Sequence, residues 1–173
     1  MDESTVWLRL KLNDQEMRIA AMVGTERQIQ SANSPGTKHG RITLCPWMLH
    51  INGAAAEIAV SRALRRYWPP SVGTFRTEAD IPAFGKHEAI EVRWITNESY
   101  DLKIRDDDKA DCWYILVSGN APHMVLHGAI MGNEAKVSEF RTSLGNGRPD
   151  LWCVPKARLY RPTGATHEQK PTS

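Results

Sequence analysis

Apolar residues at Val6, Leu8, Leu10 and Leu12 alternate with polar ones, a period-two pattern that predicts a half-buried strand. Asn13 or Asp14 then caps a helix running DQEMRIAAMVGTERQIQSA, with Met17, Ala20, Ala21 and Met22 on one stripe. Gly24 either ends this helix or only weakens it. NSPGTKHG reads as a loop. The strongest helical pattern spans Trp47 to Tyr67, with Ala55, Ile58, Ala59, Arg62, Ala63 and Arg66 at helical spacing. Trp68-Pro69-Pro70 stops it. The small residues Gly53 to Ala56 would let this helix lie close against a sheet.

From Gly73 the pattern changes to strands. GTFRTEADI places Phe75, Thr77, Ala79 and Ile81 on one face, and Arg76, Glu78 and Asp80 on the other. EAIEVRWIT places Ile90, Val92 and Trp94 opposite Glu91 and Arg93. Further strands are expected at Leu102 to Arg105, Trp113 to Ser118 and Met124 to Met131, with Arg105 to Lys109 as a hairpin turn between the first two. A short helix starts near Asn133, and an extended stretch covers Leu151 to Leu159. This order predicts an α+β fold, a central mixed or antiparallel sheet flanked by helices. Residues 1–160 form one domain and 161–173 a flexible C-terminal tail.

Composition narrows the function classes. With 173 residues, 41% hydrophobic and 24% charged, the chain can bury a core without metal or disulfide support. The net charge of +2 does not by itself argue for a nucleic-acid or membrane partner. Cys45, Cys112 and Cys153 show no metal-ligand or disulfide spacing, and all three are expected to pack as small buried hydrophobes. The acidic start and the lack of a long apolar run predict a soluble, cytoplasmic protein with no membrane partner.

The candidate chemistry lies in the two acidic strands. If they form a hairpin around PAFGKH, a register setting Asp80 opposite Glu91 also sets Glu78 opposite Arg93. Asp80, Glu91 and Arg93 then share a face. Facing carboxylates repel, and a divalent cation between them would relieve that conflict. Arg93 could also partly neutralise the pair without any metal. Glu57, on the small-residue face of the long helix, adds a third carboxylate that needs a partner if buried. A metal held by these acids would polarise a phosphoryl oxygen and acidify a bound water.

Glu57, Asp80 and Glu91-Val92-Arg93, in that order, resemble the PD-(D/E)XK nuclease superfamily, with its helix acid, its strand Asp and its strand Glu-x-Lys. The run GAAAEIAVSRALRRYW, ADI, IEVR, YILVSG and HGAIMGNEA is also similar to small phage and prophage proteins assigned to that fold, over roughly Ile51 to Ala135. The resemblance implies a restriction-endonuclease-like core and metal-dependent phosphodiester hydrolysis on nucleic acid. Mg²⁺ or Mn²⁺ would be held by Glu57, Asp80, Glu91 and the Val92 carbonyl, in the host cytoplasm if phage-encoded. Arg93 stands where the pattern has lysine. It can clamp a phosphate but cannot act as a base, so Lys103 is the candidate to supply an ammonium. Ala79 replaces the pattern's proline.

Plainer readings stand beside these. Glu91 and Arg93 could form a surface ion-pair network with Glu78, and Glu57 could pair with Arg62 or Lys103. Asp106 to Asp108 read as a solvated turn, because they lack the glycine and closing glutamate of a calcium loop. His123 and His127 lie far apart along a strand. Arg62, Arg65 and Arg66 could follow a phosphate backbone, or could complement the helix dipole. The alternative function is a non-catalytic interaction protein on the same fold that binds nucleic acid or a host protein. A virion or assembly component, visible as a homodimer or other fixed oligomer, is a third.

Overall fold

The computed structural model describes residues 6–33, 45–73, 78–143 and 149–162. Strand β1 (Leu8–Lys11) leads into helix α1 (Asp14–Asn33), followed by α2 (Pro46–Leu64). Then come β2 (Ile90–Trp94), β3 (Leu102–Arg105), β4 (Trp113–Asn120) and β5 (His123–Met131). The short α3 (Gly132–Ala135), β6 (Arg141–Thr142) and β7 (Leu151–Val154) complete the order. The fold is α+β with a mixed sheet flanked by helices.

The main sheet runs β1-β5-β4-β2, with β2 parallel to β4 and the other neighbours antiparallel. A second sheet runs β3-β7-β6. Side chains on β4 alternate between two cores. Ile115 and Val117 pack against α1 and α2, and Tyr114 and Leu116 pack against Leu102, Ile104 and Val154 of the second sheet. With both faces covered, β4 reads as a continuous apolar run rather than an alternating one. The Arg105–Lys109 segment turns as expected but is not a hairpin, because β3 pairs with β7 and lies in a different sheet from β4.

Helix α1 begins with a reciprocal cap: the Asn13 N–H donates to Glu16 Oε2 and the Glu16 N–H donates to Asn13 Oδ1. It continues straight through Gly24. A Cβ at that position would stand 2.5 Å from Ile51 Cα, so the glycine marks the point where α1 crosses α2. Helix α2 is buried almost all round between α1 and the sheet, with Ala54, Ala55, Ala56 and Ala59 fully enclosed. It ends in a left-handed residue, Arg65, where the Arg66 N–H bonds the Ser61 carbonyl and the Arg65 N–H bonds the Arg62 carbonyl.

Of the cysteines only Cys112 is buried; Cys45 is exposed and Cys153 is half-buried, which corrects the expectation for both. Cys45 directly precedes α2, and Cys153 lies on β7, where only Val154 is fully buried. Among the described residues no helix is long and apolar enough to cross a membrane. Tail residues 163–173 lie outside the described residues.

Gly24→Ala should destabilise the protein by about 1–3 kcal/mol through overpacking at the crossing. Helix propensity alone predicts a gain of about 1 kcal/mol. Urea unfolding followed by circular dichroism distinguishes the two signs.

Candidate functional site

Burial of α2 on every side forces the chemistry of Glu57. The residue is only 5% exposed, and a bare carboxylate there would be costly. Arg27 of α1 answers it with a two-pronged contact, Nη1 to Oε1 at 2.6 Å and Nη2 to Oε2 at 2.9 Å. Trp68 donates its indole N–H to Oε2 at 2.8 Å, and Arg27 Nε reaches the Ser71 carbonyl at 3.1 Å. The chain beyond α2 is thus folded back along it. Neither Arg62 nor Lys103 is the partner of Glu57; Arg27 carried no signal of this role in its own helical stripe.

The hairpin register is the expected one, but the ladder is short. Ile81 pairs with Ile90, and Phe84 with His87, the same register that would oppose Asp80 and Glu91. Residues 78–80 are not strand, and 74–77 lie outside the described residues. Odd-numbered residues of β2 turn their backbone groups to β4, as the Trp113 N–H to Ala89 carbonyl and Ile95 N–H to Val117 carbonyl bonds require. Even-numbered residues therefore face the outer edge. There the Asp80 carboxylate, not a main-chain carbonyl, takes the Val92 N–H at 2.7 Å. That side-chain cap ends the ladder at Ile81, and the Val92 carbonyl lies on the same edge.

Asp80 sits among charges. Its carboxyl is pushed up to about 8, first by burial and then by the negative charges of Glu57 and Glu91, with the Val92 hydrogen bond and Arg93 opposing. Glu91 is raised mainly by burial, against the pull of Arg93. Asp80 therefore feels both other acids, one from α2 and one from β2.

Arg93 does not meet Glu78, which is exposed. Its Nη2 binds Asp108 Oδ1 at 2.7 Å and its Nη1 lies 3.3 Å from Glu91 Oε2. The guanidinium stands 5.2 Å from the Tyr114 ring centre. Burial alone would lower its pKa, but Asp108, Glu91 and Asp80 together hold it above the ordinary value. Asp108 also accepts the Arg105 N–H, so it is a bridging acid rather than part of a solvated turn. Asp106 and Asp107 are exposed.

The remaining candidates separate. Lys103 lies on β3 of the second sheet, exposed, with its ammonium 5.5 Å from the Tyr100 ring centre. The lysine whose charge is felt at Glu91 is Lys109. Arg62 pairs with Glu16 at 2.8 Å, and Arg66 binds the Pro82 and Glu88 carbonyls, tying the hairpin to the end of α2. Of the three arginines only Arg65 is exposed with no carboxylate partner among the described residues. His123 is exposed, and His127 is buried with Nε2 2.8 Å from Ser118 Oγ.

Asp80 meets the Val92 N–H through Oδ2 and Glu91 meets Arg93 through Oε2, and these two carboxylates could take a hard cation together with the Val92 carbonyl. Both Glu57 oxygens are taken. Among the described residues no three His, Cys, Asp or Glu side chains stand together as a ready metal-binding group. No family model, curated protein or solved structure matches the chain.

Arg27→Met should destabilise the fold by about 3–5 kcal/mol, because it strands a buried carboxylate. Adding Glu57→Gln, which keeps an acceptor for Trp68, should recover much of that loss in urea unfolding. The raised Asp80 pKa also has a signed consequence. The folded state holds its proton where the unfolded chain has lost it, so stability is greatest below the unfolded carboxylate value. It declines as pH rises toward about 8. Asp80→Asn should flatten this decline between pH 5 and pH 8 (about the span the two values bracket), as measured by unfolding at each pH.

Proposed function

We propose that the protein is a divalent-cation-dependent phosphodiesterase acting on nucleic acid, with Mg²⁺ or Mn²⁺ at the outer edge of β2. The observation that carries this reading is Asp80, anchored to the Val92 N–H and facing the charge of acids on two other elements. A cation there would offset the repulsion from Glu57 and Glu91 that adds to burial in raising its pKa. Asp80 and Glu91 would hold the ion, with the Val92 carbonyl completing the shell. Glu57 would act from behind through charge, because Arg27 and Trp68 occupy its oxygens.

When bound, the ion supplies Lewis acidity and an acidified water. Arg93 keeps its positive charge throughout, so it cannot take a proton. Held between Asp108 and Glu91, it offsets the acidic edge and presents charge toward an approaching phosphate. Lys109, rather than Lys103, is the lysine near Glu91.

One observation favours a second reading, a non-catalytic interaction protein on the same fold. Glu57 and Arg93 are already satisfied within the chain, as a purely structural charge network would be.

Manganese separates the two. A bound ion at one hundred times its Kd stabilises by about 2.7 kcal/mol. Wild type should gain Tm with Mn²⁺ and cut single- or double-stranded DNA or RNA, and Asp80→Ala and Glu91→Ala should lose both properties. A wild type that neither shifts nor cuts, or a Glu91→Ala variant that cuts normally, sinks the enzymatic reading.

A further inference from the structure

The α2 C-terminus, the 82–88 hairpin and the segment ending at Pro162 enclose an open groove of about 760 Å³, a ligand-sized volume. Five aromatic side chains are exposed among the described residues, namely Trp47, Tyr67, Phe84, Tyr100 and Tyr160. Three of them, Tyr67 at 75%, Phe84 at 80% and Tyr160 at 55%, line this one groove. Such clustering marks a binding surface rather than scattered surface apolarity.

Two of the rings sit on anchored segments. Tyr160 is pinned to β5 by paired backbone bonds with Ala129 at 2.8 and 2.7 Å. Trp113 packs edge-on against it, with ring centres 6.5 Å apart and planes at 78°. Arg66 fastens the hairpin that carries Phe84 to the end of α2. Arg65 stands exposed at the rim with no carboxylate partner among the described residues, and Glu88 is the one acid among the lining residues.

We infer that this groove binds single-stranded nucleic acid, with bases stacked on Tyr67, Phe84 and Tyr160 and a phosphate met by Arg65. Exposed rings clustered beside a cation with no carboxylate partner among the described residues suit a chain of flat bases joined by anions. Residues 163–173, TGATHEQKPTS, carry no large apolar side chain to fill the groove. Choosing a nucleic acid over another flexible polymer rests on the function proposed above. The groove itself stands on its own geometry, apart from the acidic edge.

The test is anisotropy of labelled oligothymidylate and oligouridylate with the full chain in EDTA, where cleavage is suppressed. Quenching of tryptophan emission, compared between wild type and a Trp113→Phe variant, provides a second readout. Wild type should bind, more weakly as salt rises. Phe84→Ala and Tyr67→Ala, both exposed and not needed for folding, should each lose roughly tenfold in affinity. Arg65→Gln should flatten the salt dependence, and Asp80→Asn should bind like wild type. Wild-type binding that survives the aromatic substitutions overturns the groove and leaves the nucleic-acid reading standing. No binding to either oligonucleotide also overturns the groove. If Mn²⁺-dependent cleavage persists in that case, the proposed function survives without it. Binding of a proline-rich peptide in place of both oligonucleotides assigns the groove to a protein partner and overturns the inference.

Discussion

The buried ion pair between Arg27 and Glu57 is the constraint on which the rest of the structure depends. A helix packed on all sides can carry a carboxylate only if another element brings a cation to it, and α1 does so across its glycine crossing with α2. The same guanidinium holds the Ser71 carbonyl, and the same carboxylate holds Trp68. One charge pair therefore sets the packing of two helices and the return path of the chain toward the sheet. Such a pair adds little net stability over an apolar substitute, yet breaking it from one side is expensive. Its effect is to specify which surfaces meet.

A second, weaker device shapes the acidic edge. By capping Val92, Asp80 stands in for a main-chain partner at the edge of β2, and the described strand pairing ends at Ile81. Unpaired edges invite association with other chains, and charge is a common way of discouraging it. Here burial, reinforced by the charges of Glu57 and Glu91, raises the Asp80 pKa to about 8. Beside it, Arg93 bridges Glu91 and Asp108, so the edge carries an internally paired charge network. The aromatic groove lies at the C-terminal end of α2, and Arg66 ties the hairpin that lines it to that end.

Much of this was legible in the chain. Period-two and period-3.6 patterns placed β1, both long helices and strands β2 to β5, because those residues face a core whose sides are set locally. The acidic hairpin register was also readable, because alternation is local, whereas α2 ends at Leu64 in the left-handed Arg65 cap, short of the Tyr67 end expected from the prolines. Glu57, Asp80 and Glu91 stood out as acids on apolar elements. The seam between β3 and β4 was misread as a hairpin, because two adjacent strands joined by a turn carry no mark saying that they enter different sheets.

What the sequence determined by itself was the set of elements, their apolar faces and the acids that would need partners. Only the tertiary structure decided who those partners are. Arg27 lies thirty residues from Glu57 and Asp108 fifteen from Arg93, and nothing in local spacing couples them. It likewise decided that Lys103 faces away from the acidic edge and that Tyr67, Phe84 and Tyr160 share one groove. Periodicity fixes which way a side chain points from its own element, whereas the neighbour it meets depends on how elements stack, and that is set by the burial of the whole core.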